Sequence, residues 1–184
     1  MKQYKRYKDI PQFKAASSSY AIDCMLNYLD SWVESQKEDG LNLTPEFQRG
    51  HVWTEAQQIA YIEFLLRGGT SGRDIYFNYP SQHHAVKEGA YNEFVCVDGL
   101  QRITAALRFV HNEIPAFGTK YSEFEDHVPL SLSLRIHIND LQNESDVLEW
   151  YLEMNTGGTP HEKEELVRVQ KMLEATREKE GKTS

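Results

Sequence analysis

The stretch Val95-Cys96-Val97-Asp98-Gly99-Leu100-Gln101-Arg102-Ile103 decides how this chain is read. An apolar run from Phe94 to Val97 has the character of a buried strand and stops at Asp-Gly. Beyond it Ile103, Ala106, Leu107 and Val110 recur at helical spacing, so the hydrophobic period changes at Asp98-Gly99 and a strand gives way to a helix. A helix start of this kind suits an anion: its first backbone N–H groups have no internal partner and the helix dipole is positive there. Gly99 permits a tight turn and close approach of a ligand. Arg102 carries a planar fork that matches phosphate oxygens. Asp98 can cap the helix, accept from a ribose hydroxyl or hold a metal. The same residues also read as an ordinary helix start, with Asp98 as N-cap, Gly99 as turn and Arg102 as a surface partner.

Working outward, the chain alternates helical and strand-like segments without a regular period. The spacing of Ile22, Met25, Leu26, Leu29, Trp32 and Val33 predicts a helix over 20–36, ended by Gly40. Leu41 and Leu43 suggest a short strand. Thr54-Glu55-Ala56-Gln57 has the form of a capping box and opens a helix that runs to about Leu66. Strands are expected over 74–79, 94–97 and 130–138, and helices over 101–112 and 145–154, with a last one starting near Pro160. Residues 113–129 are irregular and aromatic. The few short strands point to an α+β domain, a small mixed sheet with surrounding helices. Residues 1–17 form a basic arm, expected to be flexible, 18–176 the domain, and 177–184 a charged tail expected to fray.

Composition narrows the function classes. The chain has 184 residues, a net charge of −8 and two cysteines, Cys24 and Cys96, both in apolar surroundings. They read as buried thiols of a reducing compartment. No apolar run approaches the ~20 residues that span a bilayer, and no apolar segment follows the basic N-terminus, so a cytoplasmic protein without membrane contact is expected. The acidic balance argues against a general DNA-coating protein. Lys2, Lys5, Arg6, Lys8 and Lys14 give the arm a local basic patch, readable either as a contact for DNA or an acidic partner or as a solubilising terminus. The histidines show no metal-ligand spacing.

Three further segments carry candidate chemistry. Pro45-Glu46-Phe47-Gln48-Arg49-Gly50-His51-Val52-Trp53 is a loop before a helix. Arg49 with Arg102 supplies two guanidiniums for a polyphosphate, and Gln48 can read a base or orient a water. Trp53 reads as packing beneath the loop. Glu63 lies close to the apolar face of its helix and needs a partner there: Arg49 or Arg102 structurally, a metal or a catalytic-base role functionally. Asn155-Thr156-Gly157-Gly158-Thr159-Pro160 is a glycine loop before a helix, either a second phosphate cradle or a plain helix end and start.

Taken in order, Pro45-Glu46-Phe47-Gln48-Arg49 with Trp53, Ile62-Glu63, Val97-Asp98-Gly99-Leu100-Gln101-Arg102 and Met154-Asn155-Thr156-Gly157-Gly158-Thr159 resemble the N-terminal domain of GmrSD-type restriction proteins, within the ParB/sulfiredoxin-like superfamily, over about 41–170. The resemblance implies a ParB-like α+β fold and an Asp-Gly-Gln-Gln-Arg nucleotide signature, carried here by Asp98, Gly99, Gln101 and Arg102, with Leu100 in place of the first Gln. It implies binding of ATP, GTP or CTP with Mg, and NTP hydrolysis that gates a nuclease, or a kinase activity. Asp98, Glu63 and Gln48 would be catalytic, with Asp98 also on the metal. Arg49, Gly99, Gln101, Arg102, Asn155 and Gly158 would hold the nucleotide. The nuclease half of such proteins has no counterpart after Gly158, so DNA cleavage by this chain alone is not expected. The competing expectation is a non-catalytic module that binds DNA or a restriction partner as sensor, decoy or inhibitor.

Overall fold

The alternation Ser133-Leu134-Arg135-Ile136-His137-Ile138-Asn139 forms the spine of the sheet in the computed structural model, which describes residues 5, 6, 10, 20–48, 50, 52–82, 90–126, 128, 132–156 and 163–182. This strand, β4 (Ser133–Asn139), pairs antiparallel with β1 (Tyr20–Met25) and parallel with β2 (Asp74–Asn78). β2 pairs antiparallel with β3 (Val95–Asp98), so the order is β1-β4-β2-β3. The period of two sends alternate residues to opposite faces. Leu134, Ile136 and Ile138 join Cys24, Ile75, Phe77 and Cys96 on one side, beneath α1 (Leu26–Glu38), α2 (Glu55–Leu66) and α3 (Leu100–Val110). Val95 and Val97 face the other way, toward α4 (Glu144–Thr156) and α5 (Lys163–Lys182), where Val147, Leu148, Tyr151, Val169 and Leu173 are buried with Phe47. The protein is thus α+β, a small mixed sheet surrounded by helices.

The capping box at Thr54 forms as the sequence requires. Thr54 accepts from the Gln57 backbone N–H, and the Gln57 side chain accepts from the Thr54 N–H. Cys24 and Cys96 are buried free thiols. Among the described residues no helix is long and apolar enough to cross a membrane.

Three expectations need correction. Residues 20–25 are strand rather than helix, because each of them finds a backbone partner on β4, from Tyr20 opposite Ile138 to Met25 opposite Ser133. Local spacing cannot register a ladder supplied so far along the chain. Leu41 and Leu43 do not make a strand. Asn42 bridges β3 alone, donating to Phe94 O at 2.8 Å and accepting from Cys96 N at 3.0 Å. The charged tail continues as helix to Lys182, since α4 offers it partners: Arg177 meets Glu149 at 2.9 Å and Glu180 accepts from Ser145. The basic arm lies almost wholly outside the described residues.

Candidate functional site at the β3–α3 junction

Gly99 turns the chain from β3 into α3 with φ +106° and takes the N-cap position, where no side chain caps the helix. Asp98 therefore does not cap α3, one of the roles open to it. A glycine is required twice over here. The backbone is left-handed, and a Cβ at this position would lie 2.7 Å from Ile75 Cδ1 and 3.1 Å from Ile75 Cα on β2. The close approach brings the first turn of α3 against the sheet, and among the described residues no side chain caps its leading N–H groups.

Asp98 instead accepts from Arg102 Nη2, one helical turn on. Their side chains are 33% and 24% exposed, so the pair lies at the protein surface but is substantially covered. Arg102 Nε is buried and meets no acceptor among the described residues. An arginine fork with one N–H paired to a carboxylate and another left unmet is poised for an additional acceptor.

The described residues between Pro45 and Trp53 reach this junction from two sides. Phe47 is buried edge-on against Tyr151 at 5.3 Å, and Arg168 of α5 donates to Glu46 O at 2.8 Å and Phe47 O at 3.1 Å. Gln48, the next residue, donates from Nε2 to Cys96 Sγ at 3.5 Å. Burial, reinforced by the Asp98 charge, pushes the Cys96 thiol far up, against the opposing pull of Arg102 and the Gln48 bond, so it is no nucleophile. At the far end of the segment, Gln101 Oε1 accepts from Val52 N and Trp53 N at 2.9 and 3.0 Å, and its Nε2 donates to Gly50 O at 3.2 Å. Trp53 packs against Tyr61, ring centroids 5.4 Å apart.

Several residues around the junction are absent from the sequence reading. Tyr76 stands opposite Asp98 in the β2–β3 register and stacks on His137 at 4.5 Å, while His137 Nε2 meets Asp74 Oδ1 at 2.7 Å. Burial raises the Tyr76 phenol, and Asp74 and Asp98 add to it. Tyr61, raised by burial and drawn down by Arg102 and Arg73, donates to Gly72 O at 2.8 Å. Arg168 belongs with them. No motif marks these residues; only strand register and helix packing bring them here.

Other expected site residues lie elsewhere. Glu63 does not pair with Arg102. Its Oε1 accepts from the Phe117 backbone N–H at 2.8 Å, and it lines a shallow cleft with Phe64, Arg67 and Gly69. Asn155 is buried and donates to Tyr151 O at 2.7 Å within its own helix. Arg49 and Gly158 lie outside the described residues. Among the described residues no group of three or more His, Cys, Asp or Glu is placed to hold a metal.

The sequence model of the family described as "GmrSD restriction endonuclease, N-terminal domain" matches residues 29–133, more than half of the chain. No curated protein matches it. Among solved structures, the chain is similar to the C-terminally truncated chromosome-partitioning protein ParB from Caulobacter crescentus complexed with CTP-gamma-S, at 17% identity and a TM-score of 0.39. The alignment covers 77% of this chain and 56% of that one, so the chain spans little more than half of the ParB length.

Proposed function

The chain belongs to the family of GmrSD restriction endonuclease N-terminal domains, and on that premise we propose that it binds a nucleoside triphosphate at the β3–α3 junction and hydrolyses it or transfers its terminal phosphoryl group within a DNA modification, restriction or phage–host conflict system. The observation that carries the reading is the buried, unmatched Nε of Arg102 beside an α3 N-terminus that no side chain caps. Among the described residues Arg102 Nε has no acceptor and no side chain caps α3, and a phosphate supplies several acceptor oxygens with the right charge.

In this reading Arg102, joined by Arg49, holds the phosphates, while Gly99 and Gly158 let backbone N–H groups approach them. Asp98 would hold Mg, but as a single carboxylate already paired with a guanidinium it would do so only together with a nucleotide that brings further oxygen ligands. Bound there, Mg neutralises phosphate charge. Gln48 orients the nucleophile or the base, whereas Asn155 and Glu63 would first have to leave Tyr151 O and the Phe117 N–H to take the roles the sequence offers them. The residue list extends by Tyr76 and Tyr61, whose phenols sense the charge of Arg102.

A second reading, a binding module without turnover that engages DNA or a nuclease partner as sensor or decoy, has its own support. Gln101 is engaged by backbone groups, Glu63 by Phe117 and Asn155 by Tyr151, which leaves few free groups for chemistry. Calorimetric titration of ATP, GTP and CTP with Mg into the wild type and Arg102→Ala, with phosphate release followed in parallel, separates the two. Binding by the wild type that is lost in Arg102→Ala supports the nucleotide site, and phosphate release then favours the enzyme. Binding of none of the three ends the nucleotide reading.

A further inference from the structure

Gln101 spends its whole carboxamide on one short segment: Oε1 accepts from Val52 N and Trp53 N, and Nε2 donates to Gly50 O. We propose that Gln101 is a positioning residue that fastens Gly50, Val52 and Trp53 to the first turn of α3, so that a ligand at the helix N-terminus and the order of these residues are coupled. The ligand part rests on the nucleotide reading above; the fastening does not.

The residue type follows from the groups it serves. Two backbone N–H groups and one carbonyl converge on a single side chain, and a carboxamide serves them from two adjacent atoms, accepting with its oxygen and donating with its nitrogen. A carboxylate has no donor, and an ammonium or guanidinium has no acceptor. Buried Gln58 also holds Trp53, donating from Nε2 to its carbonyl at 3.1 Å, but the two amides have Gln101 as their described acceptor. Val52 is 51% exposed, and Trp53 is only partly buried on Tyr61. The other half has separate anchors, Phe47 in the core and Arg168 on two carbonyls. Gln101 lies between Leu100, buried in the core, and Arg102, the phosphate candidate. A shift of the first turn of α3 therefore moves the fastening with it, and by linkage whatever orders the segment also favours the ligand.

Hydrogen exchange at the Val52 and Trp53 amides tests this in the wild type, in Gln101→Met, which keeps the length and loses the polar atoms, and in Gln101→Glu, which keeps the accepting oxygen and replaces the donating Nε2 by a second oxygen. Losing the acceptor of both amides should speed their exchange in Gln101→Met at least about tenfold, while Gln101→Glu stays within about threefold of wild type. Amides of β4 should keep their wild-type rates in both variants. With ATP, GTP or CTP and Mg in excess, protection of the two amides should rise in the wild type and not in Gln101→Met. Wild-type rates at Val52 and Trp53 in Gln101→Met would overturn the proposal, as would an equal acceleration throughout β4, which marks a general loss of stability. If the wild type binds no nucleotide, the nucleotide reading falls on its own, and the ligand-free rates still decide the fastening.

Discussion

Replacing Gly99 by alanine tests the geometry on which the whole junction depends. Two penalties are readable from the structure. The φ of +106° places an L-residue in the left-handed region, at about 1–2 kcal/mol. The new Cβ would also meet Ile75 Cδ1 at 2.7 Å and both Ile75 Cγ2 and Cα at 3.1 Å. The Cδ1 atom can swing away, but Cα is backbone of a central strand and cannot, so overpacking adds about 1–3 kcal/mol. Together Gly99→Ala should lose about 2–5 kcal/mol, a large part of the stability of a domain this size. Gly118→Ala is the matched control. Its φ is +78° and nothing lies within 4 Å of the added Cβ, so only the backbone penalty of about 1–2 kcal/mol applies. Urea unfolding of the three proteins reads the difference as shifts of midpoint at constant slope. Ile75→Val in the Gly99→Ala background removes the atom at 2.7 Å and should recover part of the loss, beyond what the two single changes predict. If Gly99→Ala costs no more than Gly118→Ala, the close approach of α3 to β2 is wrong, and with it the placing of the helix N-terminus.

Two further outcomes follow from packing and charge. Asn78 is fully buried and braces the chain after β4, donating to Leu141 O at 3.1 Å and accepting from Leu141 N at 2.8 Å. Asn78→Ala leaves both backbone groups of Leu141 unmet, and a loss of about 2–4 kcal/mol in the same unfolding assay is expected, whereas a loss under about 1 kcal/mol would show that another group takes over. Glu144 has its carboxyl raised above the ordinary 4.5, first by burial and then by Glu93. The folded protein holds this proton more tightly than the unfolded chain, so the favourable contribution is present below the unfolded value and is lost as pH rises through the folded one. Glu144→Gln should therefore gain in stability relative to the wild type as pH goes from about 4 to about 7. A relative loss over that interval, measured by midpoints at each pH, would contradict the burial of this side chain.

Much of this protein was legible one segment at a time. The capping box at Thr54 follows from four consecutive residues, because its bonds are all within one turn. The β3–α3 junction follows from a change of hydrophobic period at Asp98-Gly99, and the Asp98–Arg102 pair from a spacing of one helical turn. The order of four short segments was enough to indicate the family. The tertiary structure decided what depends on partners distant in sequence. Tyr20–Met25 has helical spacing at its end yet becomes a strand, because β4 supplies its hydrogen bonds. Glu63, for which the sequence offers an arginine partner, a metal or a base role, accepts from the Phe117 N–H. Tyr76 reaches Asp98 through strand register, Arg168 reaches Glu46 and Phe47 from the last helix, and Gln101 holds Gly50, Val52 and Trp53 rather than standing free. The division has one physical cause. Propensity, capping and period act over a few residues and are written in the local sequence, whereas ladder register and side-chain bonds to distant backbone exist only once the chain has closed on itself.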